Sequence, residues 1–499
     1  MWNIICQTKM EIDKKNEVYL KINCEPSEAR QISAYFTYEV PGAKFMPAVR
    51  NKIWDGKIRL FNVMSGELYI GLLSYLTEYL QQQEIEYTLS EELNDAISIS
   101  SKDIESFTKY LKLKSGGKNV KARDYQIDAI THAIRNNRTL LISPTASGKS
   151  LIIYCLVRYY LNELEESSQD KILILVPTTS LVEQLSSDFV DYGWQESNIQ
   201  KIYSGHDRNV TRPVVISTWQ SIYKFTTKYF EQFGAVIGDE CHLFKAKSLT
   251  AIMHKLHLTK YRFGLTGTLD GTQTHRLVLE GLFGNVKKVV STKELMEKKT
   301  LANLNIQALV LTYSDDDCKL VKKMTYPQEM DFITSNAKRN KFICDLVLRL
   351  KTNTLLLFQY VEKHGSILYD QIKSSTDRPV YYIYGATDTE VREDVRKLTE
   401  EQENCIIVAS YGTFSTGINI KNLHNIIFAS PSKSRIRTLQ SIGRGLRTNE
   451  QKTYATLFDI ADDLSSGKKS NYTLNHFQER INIYNSEQFN YEIHRIRIS

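Results

Sequence analysis

Between residues 139 and 268, short apolar runs rich in β-branched residues alternate with longer stretches whose apolar positions recur every three or four residues. The runs are Thr139–Ser143, Lys171–Val176, Val214–Ser217, Ala235–Gly238 and Arg262–Leu265. Runs this short, without polar alternation, predict strands buried on both faces, and the amphipathic stretches between them predict crossover helices. A second series follows at Thr354–Phe358, Val380–Ile383, Cys405–Ala409, Asn425–Ala429 and Tyr454–Asp459. The pattern therefore predicts two consecutive α/β units of similar size, joined near residues 287–300.

The first 110 residues have a different character. Strand-like runs at Glu17–Ile22 and Ile58–Phe61, a tight turn at Trp54-Asp55-Gly56-Lys57 and an amphipathic segment Leu72–Gln82 predict a small α+β domain. Ser115-Gly116-Gly117-Lys118 has linker composition. The last forty residues are polar, with a helical segment expected near Leu474–Tyr484. The expected division is 1–110, an α+β accessory domain; 111–288 and 289–462, the two α/β units; and 463–499, a small helical appendage.

Composition narrows the class. A chain of 499 residues is too long for one core. With 42% hydrophobic and 24% charged residues it reads as a soluble globular protein, and a net charge of +7 permits a nucleic-acid partner without demanding one. The seven cysteines are scattered without CxxC spacing, which argues against a zinc site or disulfide framework and fits a reducing cytoplasm. The N-terminus lacks a basic segment followed by a long apolar run, so neither a signal peptide nor a membrane partner is expected.

Chemistry enters at two places. Strand Thr139–Ser143 runs into Pro144-Thr145-Ala146-Ser147-Gly148-Lys149-Ser150 and then into the apolar segment Leu151–Leu161. Backbone N–H groups of such a loop and the following helix N-terminus cradle phosphates, Lys149 reaches the β- and γ-phosphates, and the Ser150 hydroxyl ligates Mg2+. Ser143 and Ala146 stand where glycines are common. Ninety residues beyond Lys149, Phe233-Gly-Ala-Val-Ile-Gly-Asp239-Glu240 ends an apolar strand in paired carboxylates. Asp239 suits the metal, and Glu240 suits orientation or deprotonation of a water. ATP and Mg2+ are the expected cofactors.

These strings resemble a family. Asp239-Glu240-Cys241-His242 is similar to the DExH box of superfamily 2 helicases, whose other motifs follow in order. Arg123-Asp-Tyr125-Gln126 resembles the adenine-reading Q motif, with Tyr125 to stack and Gln126 to bond the base edge. Pro177-Thr178-Thr179 and Thr218-Trp219-Gln220 resemble the motifs that touch the nucleic-acid backbone, and Leu265-Thr266-Gly267-Thr268 resembles the coupling motif. In the second unit, Tyr411–Gly417, with Thr413, Thr416 and Gly417, resembles motif V. Gln440-Ser-Ile-Gly-Arg444-Gly-Leu-Arg447 resembles motif VI. The resemblance covers about residues 120–460. It implies two tandem RecA-like parallel-sheet domains, with Lys149, Asp239, Glu240, His242, Gln440, Arg444 and Arg447 as catalytic residues. Closure of the two lobes on ATP would bring the arginines to the γ-phosphate and drive stepwise translocation.

Outside the motor, Lys44–Leu60 carries five basic residues and one acidic residue interleaved with aromatics. Arg50, Lys52, Trp54 and Lys57 are its candidate nucleic-acid contacts. This Trp-Asp-Gly-Lys element ahead of a DExH motor, with Asp188-Phe-Val-Asp-Tyr192 and the ending Glu487-Gln-Phe-Asn-Tyr491, resembles the phage UvsW-type recombination helicases. That likeness implies an ATP-dependent DNA helicase acting on Holliday junctions, stalled forks and R-loops in recombination, repair and recombination-dependent replication. Its partners would be branched, single-stranded, duplex or hybrid DNA and recombination or single-strand-binding proteins. A monomer in the cytoplasm, the host's if phage-encoded, is expected. An RNA helicase, a translocase subunit of a restriction-type complex and an ATP-gated clamp are the competing readings.

Overall fold

The computed structural model describes residues 9–93, 97–165, 167–203, 205, 207–244, 247–417, 420, 422–446, 452–467 and 469–498, with backbone alone at 389, 415–417 and 444. One compact unit runs to Val289 apart from the four residues Pro144–Ser147, and a second takes those four and everything from Val290 onward.

The N-terminal part of the first unit is built on a five-stranded sheet. Its order is Phe61–Asn62, Glu67–Tyr69, Tyr19–Asn23, Met10–Lys14, Tyr87–Leu89. Helices Pro26–Tyr35 and Leu73–Gln82 accompany it, and Ile12, Leu20, Ile32, Phe36, Leu68, Leu76 and Leu80 form its core. Beyond it, seven parallel strands form the motor sheet, in the order Ile199–Ile202, Val214–Thr218, Lys171–Val176, Phe233–Asp239, Tyr261–Thr266, Arg138–Ile142, Val286–Lys288. The five expected runs are its five inner strands. The two edge strands are short and partly polar, and so left no continuous apolar run to read.

The Ser115–Lys118 stretch is not a free linker. It forms the hairpin Lys114–Ser115 with Lys118–Asn119, and Gly116 N donates to both carboxylate oxygens of Asp191 at 2.9 and 3.0 Å. The N-terminal sheet is likewise fixed to the motor sheet. Leu277 of the motor domain belongs to the N-terminal core. Tyr75 Oη donates to Glu280 at 2.8 Å, Ser74 Oγ bonds Asn285 at 3.0 Å, and Arg138 pairs with Glu17 at 2.7 Å.

At the centre of this joint Gly71 lies against Glu280 and Gly281, so closely that a Cβ there would collide with both carbonyl oxygens. Backbone cannot step aside as a flexible side chain can. Gly71→Ala is therefore expected to cost roughly 1–3 kcal/mol, as overpacking does. A thermal melt of the variant should show the first unit unfolding several degrees earlier, and an unchanged melt would mean that the joint is loose.

In the second unit the sheet order is Val380–Ile383, Ile406–Ser410, Thr354–Phe358, Asn425–Phe428, Tyr454–Asp463, Asn303–Thr312, Tyr491–Arg497, all parallel. The last element corrects the expected helical appendage. Helix Tyr472–Ser486 leads into a strand that pairs with Asn303–Thr312 and closes the sheet edge. Buried polar bonds hold that helix. Arg480 makes a two-pronged pair with Asp459 (2.7 and 2.9 Å), Tyr484 Oη donates to Asp459 at 2.8 Å, and Glu329 accepts from Thr473 N at 2.7 Å. Among the described residues, no helix is long and apolar enough to cross a membrane.

Candidate active site

The strand Arg138–Ile142 is buried and parallel-paired on both sides. It delivers the chain to the loop 143–148, and the helix Lys149–Glu163 begins directly after. Ser147 N and Oγ both donate to Pro144 O, tying the loop into a turn. Gly148 caps the helix at φ +84°, and a Cβ there would also run into Gln126 Nε2. Ala146 holds φ 65° despite its Cβ, a left-handed conformation costing about 1–2 kcal/mol that functional loops retain.

Gln126 is buried rather than on a helix surface. Its Oε1 accepts from Arg123 N at 2.9 Å, and its amide end lies against the strand–helix loop at Gly148. Tyr125 was expected to stack on a base, but its ring is buried. Its hydroxyl accepts from Arg123 Nη1 at 2.6 Å, and the residues of this motif that face solvent are Arg123 and Asp124.

The strand Phe233–Asp239 lies between Lys171–Val176 and Tyr261–Thr266 and ends at the acidic pair. Lys149 Nζ sits 2.7 Å from Glu240 Oε1 and 3.5 Å from Asp239 Oδ1, across 91 residues of sequence. Burial pulls the Lys149 ammonium down, yet the two facing carboxylates outweigh it and hold the lysine above its ordinary value. Burial would raise Glu240, but Lys149 and His242 hold its carboxyl well below the usual range. Asp239, farther from the ammonium, is pushed up by burial. Glu240 itself adopts the left-handed backbone (φ 49°), which turns it sharply out of the strand.

From Glu240 a polar chain runs inward. His242 Nδ1 is 3.2 Å from Glu240 Oε2 and 3.0 Å from Thr266 Oγ1, and Thr266 Oγ1 donates to Thr268 O at 3.1 Å. His275 Nε2 donates to His242 O at 2.8 Å, and its Nδ1 lies 2.8 Å from Asp270 Oδ2. Burial opposes the Asp270 charge, but the His275 bond and the Thr272 turn hold its carboxyl well below the ordinary range. Asp270 and His275 carry no motif that marks them in the sequence. Their only signal is the Asp-Gly-Thr turn three residues ahead of a histidine.

The expected strand-gripping residues of the first unit converge. Val176 and Thr218 are register partners at the carboxyl ends of adjacent strands, the edge where α/β sheets take ligands. Thr178 caps the helix Thr179–Asp191, Thr218 Oγ1 bonds Ser221 at 2.9 Å, and Gln220 Nε2 donates to Pro177 O at 3.3 Å. Beside them lies a cavity of about 630 Å³ lined by Arg208, Trp219, Gln220, Tyr223, Lys224 and Phe225.

In the second unit Thr413 is buried, bonding Ser410 Oγ at 2.8 Å, and Gln440 is half-buried on helix Arg435–Gly445. Arg447 and the side chains of Thr416 and Arg444 lie outside the described residues, and Gly417 is described by its backbone alone. In the N-terminal domain Arg50 and Lys52 are exposed. Trp54 is half-buried with its indole N–H donated to Lys57 O at 3.0 Å, and Lys57 is turned toward Glu39 at 3.9 Å.

The same chain matches three family models: "DNA helicase UvsW, N-terminal" over residues 10–90, "Type III restriction enzyme, res subunit" over 119–271, and "Helicase conserved C-terminal domain" over 338–449. It is 37% identical to the ATP-dependent DNA helicase uvsW of Enterobacteria phage T4 over 498 residues, covering 96% of this chain and 98% of that protein. The chain belongs to the UvsW helicase family. The crystal structure of T4 UvsW agrees over 99% of this chain and 100% of that one, with a TM-score of 0.53 and 34% identity. A fragment of a type I restriction HsdR subunit from Vibrio vulnificus shares only the fold, at TM-score 0.57 and 17% identity over 80% of this chain and 72% of that one. As a UvsW-family member the protein is an ATP-dependent DNA helicase with two RecA-like domains.

Proposed function

We propose that this helicase remodels branched DNA, migrating Holliday junctions and resolving stalled forks and R-loops in recombination, repair and recombination-dependent replication. The carrying observation is the UvsW-type N-terminal domain immobilised on the first motor sheet, which gives the motor a fixed second surface for DNA. A free tether would let that surface drift. A rigid joint makes each advance of the motor also an advance of whatever the domain touches.

In this reading Lys149 leaves Glu240 for the β- and γ-phosphates, and the freed Glu240 orients the attacking water. His242 and Thr266 hold Glu240 in line and tie its state to the turn that follows the strand, at Thr268. The Ser150 hydroxyl and the Asp239 carboxylate are hard oxygen donors that fit Mg2+, which takes one or two protein oxygens alongside phosphates. Bound there, the ion would neutralise developing phosphate charge. Arg444 and Arg447 act on the γ-phosphate in the same proposal, and Thr178, Thr218 and Gln220 grip the backbone of a strand, reading no bases.

The test is ATP turnover and strand separation on matched linear, forked, four-way and RNA–DNA substrates with the full chain. Separation of forks and four-way junctions should exceed that of linear duplexes by about tenfold at equal turnover. Equal rates on all shapes would sink the branched-DNA reading, and equal stimulation by RNA would favour the RNA-helicase alternative.

A further inference from the structure

We infer that the tip of the N-terminal domain is a strand-parting wedge, seating Phe45 and Ile53 against the last base pair of a DNA branch. The inference rests on the branched-DNA reading and names the element that would act at the branch point.

The tip grows from a separate two-stranded ribbon, Thr37–Glu39 paired with Lys57–Arg59. Between these strands the chain makes a short helical turn at Ala43–Phe45 and another at Pro47–Arg50. The segment is rigidly braced. Val40 N donates to Gly56 O, Ala43 N to Val40 O, and Ile53 N and Trp54 N both to Ala48 O, at 2.9 to 3.1 Å. The Trp54 indole closes the base of the tip on Lys57 O.

What this scaffold presents is apolar and uncovered. Phe45 is 71% exposed, Ile53 79% and Met46 40%. Around them stand Lys44, whose Nζ lies 5.1 Å over the Phe45 ring, and the exposed Arg50 and Lys52. The neighbouring acid, Asp55, is already paired with Arg59 at 2.5 Å. Among the described residues these three cations have no ion-pair partner.

An apolar tip ringed by unpaired cations matches one partner chemistry well. Phosphates on two diverging strands satisfy the cations, while the exposed face of the terminal base pair takes the aromatic and aliphatic side chains. Stacking on a base face needs no sequence, consistent with a motor that grips backbone. A protein partner fits less well, because lysine is depleted at protein interfaces. Trp54, the aromatic singled out in the sequence, is a brace. The stacking surface is Phe45.

The experiment uses the full-length protein and fork and four-way DNA carrying 2-aminopurine in the branch-point base pair. Wild type without ATP should raise the fluorescence by opening that pair. The exposed-residue double variant Phe45→Ala/Ile53→Ala should raise it by less than a third as much and separate forks at least tenfold more slowly, with Phe45→Trp restoring both. ATP turnover on linear single strands should stay within twofold of wild type. Wild-type opening and separation in the double variant would assign the tip to a protein partner and overturn the wedge. A loss matched by an equal loss of turnover on linear strands would also overturn it. If wild type itself shows no preference for branched over linear DNA, the branched-DNA reading fails and takes the wedge with it.

Discussion

Replacing Lys149 with alanine is expected to lower ATP turnover by about 10³-fold or more, since one preorganised charge donor is worth ~10²–10³ and in the proposed site this ammonium would also hold the phosphates in the ground state. The geometry makes the effect double. Without nucleotide the ammonium neutralises Glu240 at 2.7 Å and Asp239 at 3.5 Å, so its removal also leaves two carboxylates facing each other. Leaving a mostly buried charge unpaired costs on the order of 1–3 kcal/mol, which should lower the melting temperature by several degrees without unfolding the protein. Phosphate release and a thermal melt check both halves. Retained turnover would remove Lys149 from the site.

The pair also sets a pH window. Glu240 is held below its ordinary value of 4.5, so its contribution is fully present above that pH and is lost as pH falls through the folded value. Lys149 is held above its ordinary 10.5, so its contribution is present below that pH and is lost as pH rises through the folded value. The stabilisation from this contact should be level between these limits in wild type and absent from the Lys149→Ala variant across the whole window.

Glu240→Gln is expected to separate binding from chemistry. The amide keeps an acceptor for Lys149 and the same volume, but it cannot take a proton from water. Turnover should fall by about 10²–10⁴ while ATP affinity stays within a few-fold. The variant should hold unhydrolysed ATP long enough to be trapped on a filter, and a parallel loss of affinity would mean that Glu240 only shapes the pocket. His242→Ala should give a smaller loss in the same assay, because it removes a neighbour of Glu240 and leaves the carboxylate itself in place.

Much of this site was legible in the chain because its chemistry is local. A loop that cradles phosphate needs a tight turn between a strand and a helix N-terminus, and Ser147, Gly148 and Lys149 spell that turn within three residues. An acidic pair at the end of an apolar strand is equally self-contained. Tyr125 and Gln126 illustrate where that legibility stops. Their order in the chain matches a base-reading motif, but which atoms face solvent depends on packing, and here the ring is buried and the amide leans on the loop. Asp270 and His275 were silent for the same reason. His275 acquires its place from the His242 carbonyl, 33 residues away in the chain, and Asp270 from His275.

By itself the sequence determined the two α/β units, the five inner strands of the first sheet, four of the five inner strands of the second, and the strand–turn–helix loop and strand-end acidic pair on which the proposed nucleotide site rests; the inner strand Asn303–Thr312 escaped it. Strands buried on both faces must be written as continuous apolar runs, and phosphate chemistry demands particular residues at adjacent positions. Only the tertiary structure decided the rest. Strand order set the Tyr261–Thr266 strand between the loop and the acid, and so brought Lys149 to Glu240. Pairing with Asn303–Thr312 turned the C-terminal residues into an edge strand. Close backbone approach at Gly71 joined the N-terminal domain to the motor, and the bracing of one short ribbon left Phe45 and Ile53 in solvent. Each of these depends on contacts between segments far apart in the chain, which no local periodicity records.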